Sequence, residues 1–483
     1  MGLLKQAVVM ICGFILPRYF LLYYGSEVNG LISSMTHFLG FISLLELGIG
    51  PVIQANLYKP LAEKDSDAIS KIIVSSERFF KRIAYIFLAY ICVLMVVFPT
   101  VINQNYGFWF SASLLLIVSI STIAQYFFGV TYQLLLNADQ KAYIPMSLHI
   151  ATVIINTVVS IFLIRMGFSI HLVKLSTAAI YVLRPIGQII YVKRKYKINK
   201  KIHLDGEPIQ QKWNGFAQHL ASVVTTNIDI FLLTFFSLTS VSVYSVYFNV
   251  TNGIHTIITT AAIGLEAYLG NIIAKGESTA LRNSFERIET IMHVMVSFLF
   301  AVTAVLITPF ISVYTRGVTD ANYNQPLFAL LMVLASASQC LKIPYFRIIK
   351  ASCCFKDTQN GAIISMMLNL IVSIALVIKL GLIGVAIGTV IAMLYHTIYL
   401  AWYLRKNIIC RSFKYFIRNM IADALTFVGV YLCSKPILLM DVSYIGWIVM
   451  AIKVTLIGVA ITGLIQGLFH SRELKQMMVI RNN

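Results

Sequence analysis

Long apolar runs alternate with short polar segments along the whole chain. A bilayer core needs about 20 apolar residues per helix, and about fourteen runs reach that length. Their approximate limits are 3–24, 31–56, 80–101, 108–136, 143–165, 169–192, 215–237, 241–274, 288–314, 326–350, 360–380, 382–404, 417–435 and 442–469. The pattern predicts an all-α integral membrane protein with about 14 transmembrane helices.

Composition agrees with this fold class. Hydrophobic residues make up 58% of the chain and charged residues 12%, whereas about a quarter of the residues in a soluble domain are charged. The net charge of +19 lies in short loops rather than on one face of a soluble domain, which argues against a nucleic-acid partner. No predicted loop exceeds roughly 25 residues, so there is no room for a soluble catalytic domain of about 50 or more.

Lysine and arginine predict the orientation, because short loops rich in these residues stay in the cytoplasm. The loops after the even-numbered spans hold about 24 of them, and the alternate loops hold about four. We therefore expect both termini to be cytoplasmic, in a multi-pass protein of the plasma membrane.

The chain also repeats itself at a spacing of about 213 residues. Asn156-Thr-Val-Val-Ser-Ile recurs as Asn369-Leu-Ile-Val-Ser-Ile, and in the same alignment Tyr132 corresponds to Tyr345 and Glu77-Arg78 to Glu286-Arg287. Each repeat has an even number of spans, which predicts two six-helix lobes related by a parallel pseudo-twofold axis. Such an arrangement is typical of alternating-access transporters, in which the substrate path runs between the two halves.

The predicted organisation has four parts. They are an amino-terminal lobe at 1–192, a basic cytoplasmic linker at 193–214, a carboxyl-terminal lobe at 215–404, and an appended helix pair with a cytoplasmic tail at 405–483.

Several short segments resemble those of the Wzx-type bacterial oligosaccharide flippases, which belong to the multidrug/oligosaccharidyl-lipid/polysaccharide (MOP) exporter superfamily. These segments are YGSEVNGLISS at 24–34, LLELGIG at 44–50, LYKPLAEKD at 57–65, NIDIFLLT at 227–234, YTRGVTDANY at 314–323, FKDTQ at 355–359 and GTVIAMLY at 388–395. The chain departs from the family at two points. FKDTQ follows Ala351-Ser-Cys-Cys where a glycine-containing turn is expected, and His396 stands where relatives often carry arginine.

The resemblance implies two six-helix lobes that form a V around a central cavity. It implies an activity without enzymatic chemistry: translocation of undecaprenyl-diphosphate-linked oligosaccharide units to the outer leaflet, for capsule or another surface polysaccharide. The expected partners are this lipid-linked substrate, membrane lipids, and a polysaccharide polymerase with other assembly proteins.

Basic residues at membrane depth are the candidates for binding the diphosphate, because an intramembrane charge usually faces a cavity or a partner. Arg18 follows Pro17 in the first span, and Lys174, Lys342 and Arg347 lie in the sixth and tenth. A guanidinium can contact two phosphate oxygens at once. The alternative is that such side chains extend to the lipid headgroups, which applies to Arg18 at its span end and most of all to Arg347.

Polar groups on the eighth span are the candidates for contacting sugars. Asn249, Asn252 and His255 are three residues apart and therefore share one helix face. They could equally make hydrogen bonds between packed helices.

Three acidic residues at membrane depth are candidates for coupling or gating: Glu46, Asp229 and Glu266. A salt bridge that only holds helices together is the alternative for Glu46. The histidines lack paired metal-ligand spacing and the chain has no nucleotide-binding motif, so we predict neither a metal site nor a cofactor.

Two other functions remain open. A cation-coupled multidrug or metabolite exporter would use the same architecture, but would need exposed acids at depth. A membrane polysaccharide polymerase would need a large external loop with catalytic residues, and the longest predicted outer loop is only that around 314–325.

Overall fold

Helices are the regular structure of the chain. The computed structural model of the protein describes residues 1–46, 49–102, 106–202 and 216–471, and all the regular elements in these ranges are helical. Twelve of the described helices are long and apolar enough to cross a membrane. The predicted all-α, multi-pass membrane class is therefore confirmed, while the count of fourteen spans stays a prediction.

The chain divides into two compact units, Met1–Ser242 and Val243–Asn483. The first unit contains these helices: α1 Gly2–Gly40, a 3₁₀ segment Phe41–Glu46, α2 Ile49–Glu63, α3 Ser66–Val97, a π segment Phe98–Ile102, α4 Phe108–Ala124, a π segment Gln125–Gly129, α5 Val130–Ala138, α6 Tyr143–Arg165, α7 Ile170–Lys195 and α8 Phe216–Phe236. The predicted four-part organisation stays a prediction, since part of its linker lies outside the described residues.

The second unit begins at Val243, within α9, which spans Leu238–Ala261. It continues with α10 Leu265–Ala274, α11 Ser278–Tyr314, α12 Pro326–Leu341, α13 Ile343–Ala351, α14 Phe355–Leu380, α15 Leu382–Asn407, α16 Lys414–Ser434 and α17 Tyr444–Phe469. In this unit α14 packs along α15, α12 packs against α15, and α16 and α17 both pack against α11.

The first two predicted spans, 3–24 and 31–56, are not separated by an extended loop. They meet at a kink at Gly25, whose φ of 81° and ψ of 171° interrupt an otherwise continuous α1. Glycine adopts this φ without the steric penalty that a Cβ would add. The kink at this single glycine therefore takes the place of a loop between the two predicted spans.

Two helices begin well before their apolar runs. Helix α3 begins at Ser66 rather than near residue 80, and α11 begins at Ser278 rather than near 288. Asp65 caps α3 by accepting hydrogen bonds from the backbone N–H groups of Asp67 and Ala68, which stabilises the start of a helix whatever its hydropathy. Glu77 and Glu289 lie about three turns into these two helices.

The Ala351-Ser-Cys-Cys turn needs the backbone conformation that glycine favours. Cys353 has a φ of 57°, a left-handed conformation that costs a residue with a Cβ about 1–2 kcal/mol. We expect Cys353→Gly to be neutral or to stabilise the protein by up to about 1 kcal/mol, because relief of strain is partly offset by the greater freedom of unfolded glycine. Thermal unfolding in one detergent measures this, and a clear loss of stability would contradict it.

Candidate functional site

The predicted site residues of the first unit lie on four different helical segments. Lys174 of α7 places its Nζ 4.2 Å from the ring centre of Phe20 on α1, and the Glu46 carboxylate accepts a hydrogen bond from the hydroxyl of Tyr126. Arg18 is half-buried on α1, and Asp229 on α8 is only 3% exposed. The structure thus links Lys174 to α1 and Glu46 to the π segment after α4.

In the second unit, Lys342 is half-buried between α12 and α13, two residues before Pro344. Its charge acts on His255 of α9 and on His396 of α15. Residues from three helical segments therefore place one ammonium group near two imidazole rings. Among the described residues, no carboxylate lies within ion-pair distance of the Lys342 ammonium group.

The proposed sugar-contacting stripe of α9 is only partly exposed. Asn252 is exposed, while Asn249 and His255 are half-buried. All three lie on α9, and one of them, His255, is within reach of the charge of Lys342. Their assignment to a sugar stays a prediction.

Arg347 does have an acidic neighbour, which the sequence did not reveal. Its Nη1 lies 3.2 Å from Oε2 of Glu266, and the Nζ of Lys350 lies 3.0 Å from the same oxygen. Glu266 thus joins α10 to α13 through two ion pairs. The positive charge of Arg347 is partly neutralised, so Arg347 is a weaker candidate for diphosphate binding than Lys342.

A tyrosine–glutamate–cation cluster, which we call a triad, was not predicted and occurs in both units. In the first unit, the Tyr132 hydroxyl donates to Oε1 of Glu77 at 2.7 Å, and the Nζ of Lys200 donates to the same oxygen at 3.0 Å. Lys200 comes from the segment that follows α7. The triad therefore ties that segment to α3 and α5.

The second triad is more deeply buried. The Tyr345 hydroxyl donates to Oε1 of Glu289 at 2.5 Å, and Nη2 of Arg411 binds both oxygens of the same carboxylate. Arg411 comes from the segment between α15 and α16. Burial alone would lower the pKa of Arg411, but the adjacent Glu289 carboxylate outweighs that effect and raises it.

The second triad continues into a hydrogen-bond network that holds the last two helices. His293 bridges Tyr345 and Asp423: its Nε2 lies 3.2 Å from the tyrosine hydroxyl, and its Nδ1 lies 2.5 Å from Oδ2 of the aspartate. Gln466 of α17 then donates to Oδ1 of Asp423 on α16 at 3.2 Å. Both helices of the predicted appended pair are thereby linked to α11.

A metal centre finds no support in the described part of the chain. No group of three or more His, Cys, Asp or Glu side chains there has a geometry that could hold a metal ion. The buried carboxylates of Glu289 and Asp423 instead contact tyrosine, arginine or histidine side chains.

Comparison of the sequence with family models and with curated proteins gives no match. Comparison of the structure does. The chain is similar to the lipid II flippase MurJ in its inward closed conformation, with a TM-score of 0.70 and 17% identity over 97% of this chain and 98% of MurJ. At this coverage the similarity includes most of α16 and α17.

Two multidrug-type transporters are also similar. The eukaryotic MATE transporter AtDTX14 gives a TM-score of 0.55 at 14% identity, over 87% of this chain and all of that protein. An inward-facing MATE family transporter of the MOP superfamily gives 0.56 at 13% identity, over 83% of this chain and 94% of that protein. The protein is therefore a multi-pass membrane protein with the fold that the lipid II flippase MurJ shares with the MATE transporters of the MOP superfamily.

Proposed function

We propose that the protein is a flippase that moves undecaprenyl-diphosphate-linked oligosaccharide units from the inner to the outer leaflet of the bacterial plasma membrane by alternating access. The cargo would serve the synthesis of capsule or another surface polysaccharide, and both termini would be cytoplasmic. The fold and the Wzx-like segments support a transporter of this kind. The observation that carries the choice of cargo is Lys342. This half-buried basic residue lies close to His255 and His396, and it has no acidic partner among the residues that the structure describes.

An unpaired charge at membrane depth costs at least about 2.5–3.5 kcal/mol at a helix centre. A diphosphate would offset this cost, because it supplies several anionic oxygens to an ammonium group. The same argument applies to Lys174 in the first unit, because the contact that the structure describes for its ammonium group is with the uncharged ring of Phe20. In our proposal Arg18, Lys174 and Lys342 bind the diphosphate, while Asn249, Asn252 and His255 contact sugars.

The acidic residues favour an anionic cargo over a cationic one. Glu266, Glu289 and Asp423 each face a basic or histidine partner, so these carboxylates are not free to bind a cationic drug. We assign Glu46, Asp229 and Glu266 to coupling or gating. The cation-coupled exporter remains the second candidate, because Asp229 is an acidic residue buried in a helix of the same fold.

The test is transport of a fluorescent polyprenyl-diphosphate sugar in proteoliposomes. We expect Lys342→Met to slow translocation about 10- to 100-fold, the effect of losing one charge-assisted contact of about 1.5–3 kcal/mol. Lys379→Met is the control, because Lys379 is an exposed basic residue in the last turn of α14. It should transport at the wild-type rate.

Two results would refute the assignment. If Lys342→Met transports normally at equal reconstitution, Lys342 does not bind the cargo. If the wild-type protein moves cationic dyes but no lipid-linked sugar, the exporter is the correct function.

A further inference from the structure

A polar cavity of about 510 Å³ lies within the first unit. It is bounded by α1, α4, the π segment Gln125–Gly129, α5, α6 and α7, and it contains none of the residues proposed above to bind cargo. Its volume is within the usual range for small-molecule sites. A π segment in its wall is a feature often found at functional sites.

Arg184 of α7 and Lys5 of α1 are the basic groups that the structure describes in the lining of this cavity. The Nε of Arg184 donates to Oγ1 of Thr152 at 2.6 Å, and its guanidinium carbon lies 3.9 Å from the ring centre of Tyr181. These contacts fix the guanidinium plane but leave Nη2 buried without a hydrogen-bond partner. A buried donor in this state requires an acceptor.

Gln188 lies one helical turn further along α7. There the buried atom without a partner is an acceptor rather than a donor. Its side chain is only 3% exposed, it lines the cavity, and its Oε1 is buried without a partner. An amide oxygen in this state requires a donor. The cavity thus presents one unfilled donor and one unfilled acceptor on the same helix.

The charge of the cavity determines which ligand can satisfy both atoms. The charges of Arg184 and Lys5 both act on His149 in the wall, and none of the described residues that line the cavity is acidic. The Glu46 carboxylate, which is not among the lining residues, accepts a hydrogen bond from the lining residue Tyr126. Water could complete the hydrogen bonds but could not neutralise the guanidinium, so the ligand should carry both anionic oxygens and a hydroxyl group.

We propose that this cavity binds a glycosyl phosphate, with Arg184 contacting the phosphate oxygens and Gln188 accepting a hydrogen bond from a sugar hydroxyl. Gln125 and Gln133 also line the cavity, and Nε2 of Gln125 donates to Oε1 of Gln133 at 3.1 Å. Gly129 leaves room for the Gln125 amide, since a Cβ there would collide with it. The site itself does not depend on the proposed transport; only a lipid-linked source of the glycosyl phosphate rests on that function.

The experiment measures binding to the purified full-length protein in lipid nanodiscs by calorimetry, with glucose 1-phosphate, glucose and inorganic phosphate as probes. We expect glucose 1-phosphate to bind and glucose not to bind. Arg184→Gln should weaken binding about 10- to 100-fold. Arg165→Gln is the matched control, because Arg165 also contacts a tyrosine, Tyr19, but at an exposed helix end; it should change affinity less than twofold.

Gln188→Met keeps the length of the side chain and tests the sugar contact separately. It should weaken glucose 1-phosphate binding several-fold without changing the affinity for inorganic phosphate, and it provides a test even if Arg184→Gln does not fold. Equal affinities for glucose and glucose 1-phosphate, or a normal affinity in folded Arg184→Gln, would overturn the phosphate assignment. No effect of Gln188→Met would overturn the sugar contact.

A short-chain polyprenyl-diphosphate sugar, added as a competitor, identifies the source of the ligand. Displacement of glucose 1-phosphate supports the lipid-linked cargo. Binding of the soluble sugar phosphate without displacement supports the site and overturns that source. A protein that flips lipid-linked sugar but binds none of the soluble probes refutes the cavity site alone, whereas one that binds glucose 1-phosphate but moves no lipid refutes only the proposed function.

Discussion

Replacing Arg411 with methionine should lower the free energy of unfolding by about 3–5 kcal/mol, the usual cost of removing one partner of a buried ion pair. Only 5% of the Arg411 side chain and 2% of the Glu289 side chain are exposed, so the substitution leaves a buried carboxylate with Tyr345 as its remaining donor. Denaturation of the protein in one fixed detergent or bicelle mixture measures the change.

The first unit provides the control. Lys200 occupies the corresponding place beside Glu77, but 54% of its side chain is exposed, and an exposed ion pair contributes at most about 1 kcal/mol. We therefore expect Lys200→Met to have a small effect. If the two variants lose similar amounts of unfolding free energy, burial does not determine how much the second triad contributes to stability.

A double substitution tests the pairing directly. Adding Glu289→Gln to Arg411→Met removes the buried charge that the single variant leaves unpaired, so the double variant should be more stable than Arg411→Met alone. Additive losses would mean that Arg411 stabilises the fold through its contacts with the rings of Phe285 and Tyr415 instead of through Glu289.

Hydropathy was sufficient to predict the class of the fold but not the course of each helix. A run of apolar residues shows that a segment can lie in lipid, and it contains no information about a kink such as that at Gly25. Helix α3 begins early with a cap from Asp65, and hydropathy contains no information about capping. Capping residues such as Asp65 indicate the helix start, and they can be recognised in the local sequence.

Charged residues at depth could be predicted as candidates, but their partners could not. Arg347 and Glu266 are 81 residues apart, and nothing in either local sequence indicates that α10 and α13 pack together. Lys342 and His255 became neighbours only through the packing of α9 near the α12–α13 junction. Partner choice is a property of tertiary packing, so sequence spacing within one helix does not reveal it.

The triads could have been found from the repeat, and one misaligned residue concealed them. The sequence alignment matched Glu77 with Glu286, whereas the structure gives Glu289 the role of Glu77. The spacing from glutamate to tyrosine is 55 residues in the first unit and 56 in the second, and that from glutamate to cation is 123 and 122. Two duplicated halves would produce this near-identity, while the parallel pseudo-twofold axis stays a prediction.

The glycines of α15 should also be sensitive to substitution, although less so than the buried ion pair. A Cβ on Gly384 would lie 2.5 Å from the backbone carbonyl carbon and oxygen of Leu376, and one on Gly388 would lie 2.9 Å from the backbone nitrogen of Ser373. Gly384 and Gly388 therefore lie where α14 and α15 pack closely. The two nearest atoms at Gly384 belong to the backbone of α14 and cannot rotate away, whereas the nearest atom at Gly388 is the side-chain Oγ of Ser373.

We expect Gly384→Ala to destabilise the protein by about 1–3 kcal/mol, the typical cost of overpacking. It should also slow transport, because α15 would have to move and it carries His396 towards Lys342. Gly463→Ala is the control, since Gly463 lies within α17 and a Cβ there would meet no atom within 4 Å; its effect should stay below about 0.5 kcal/mol. Equal stability of the two variants would mean that α14 and α15 separate easily, and the close contact at Gly384 would then have no role in holding His396 near Lys342.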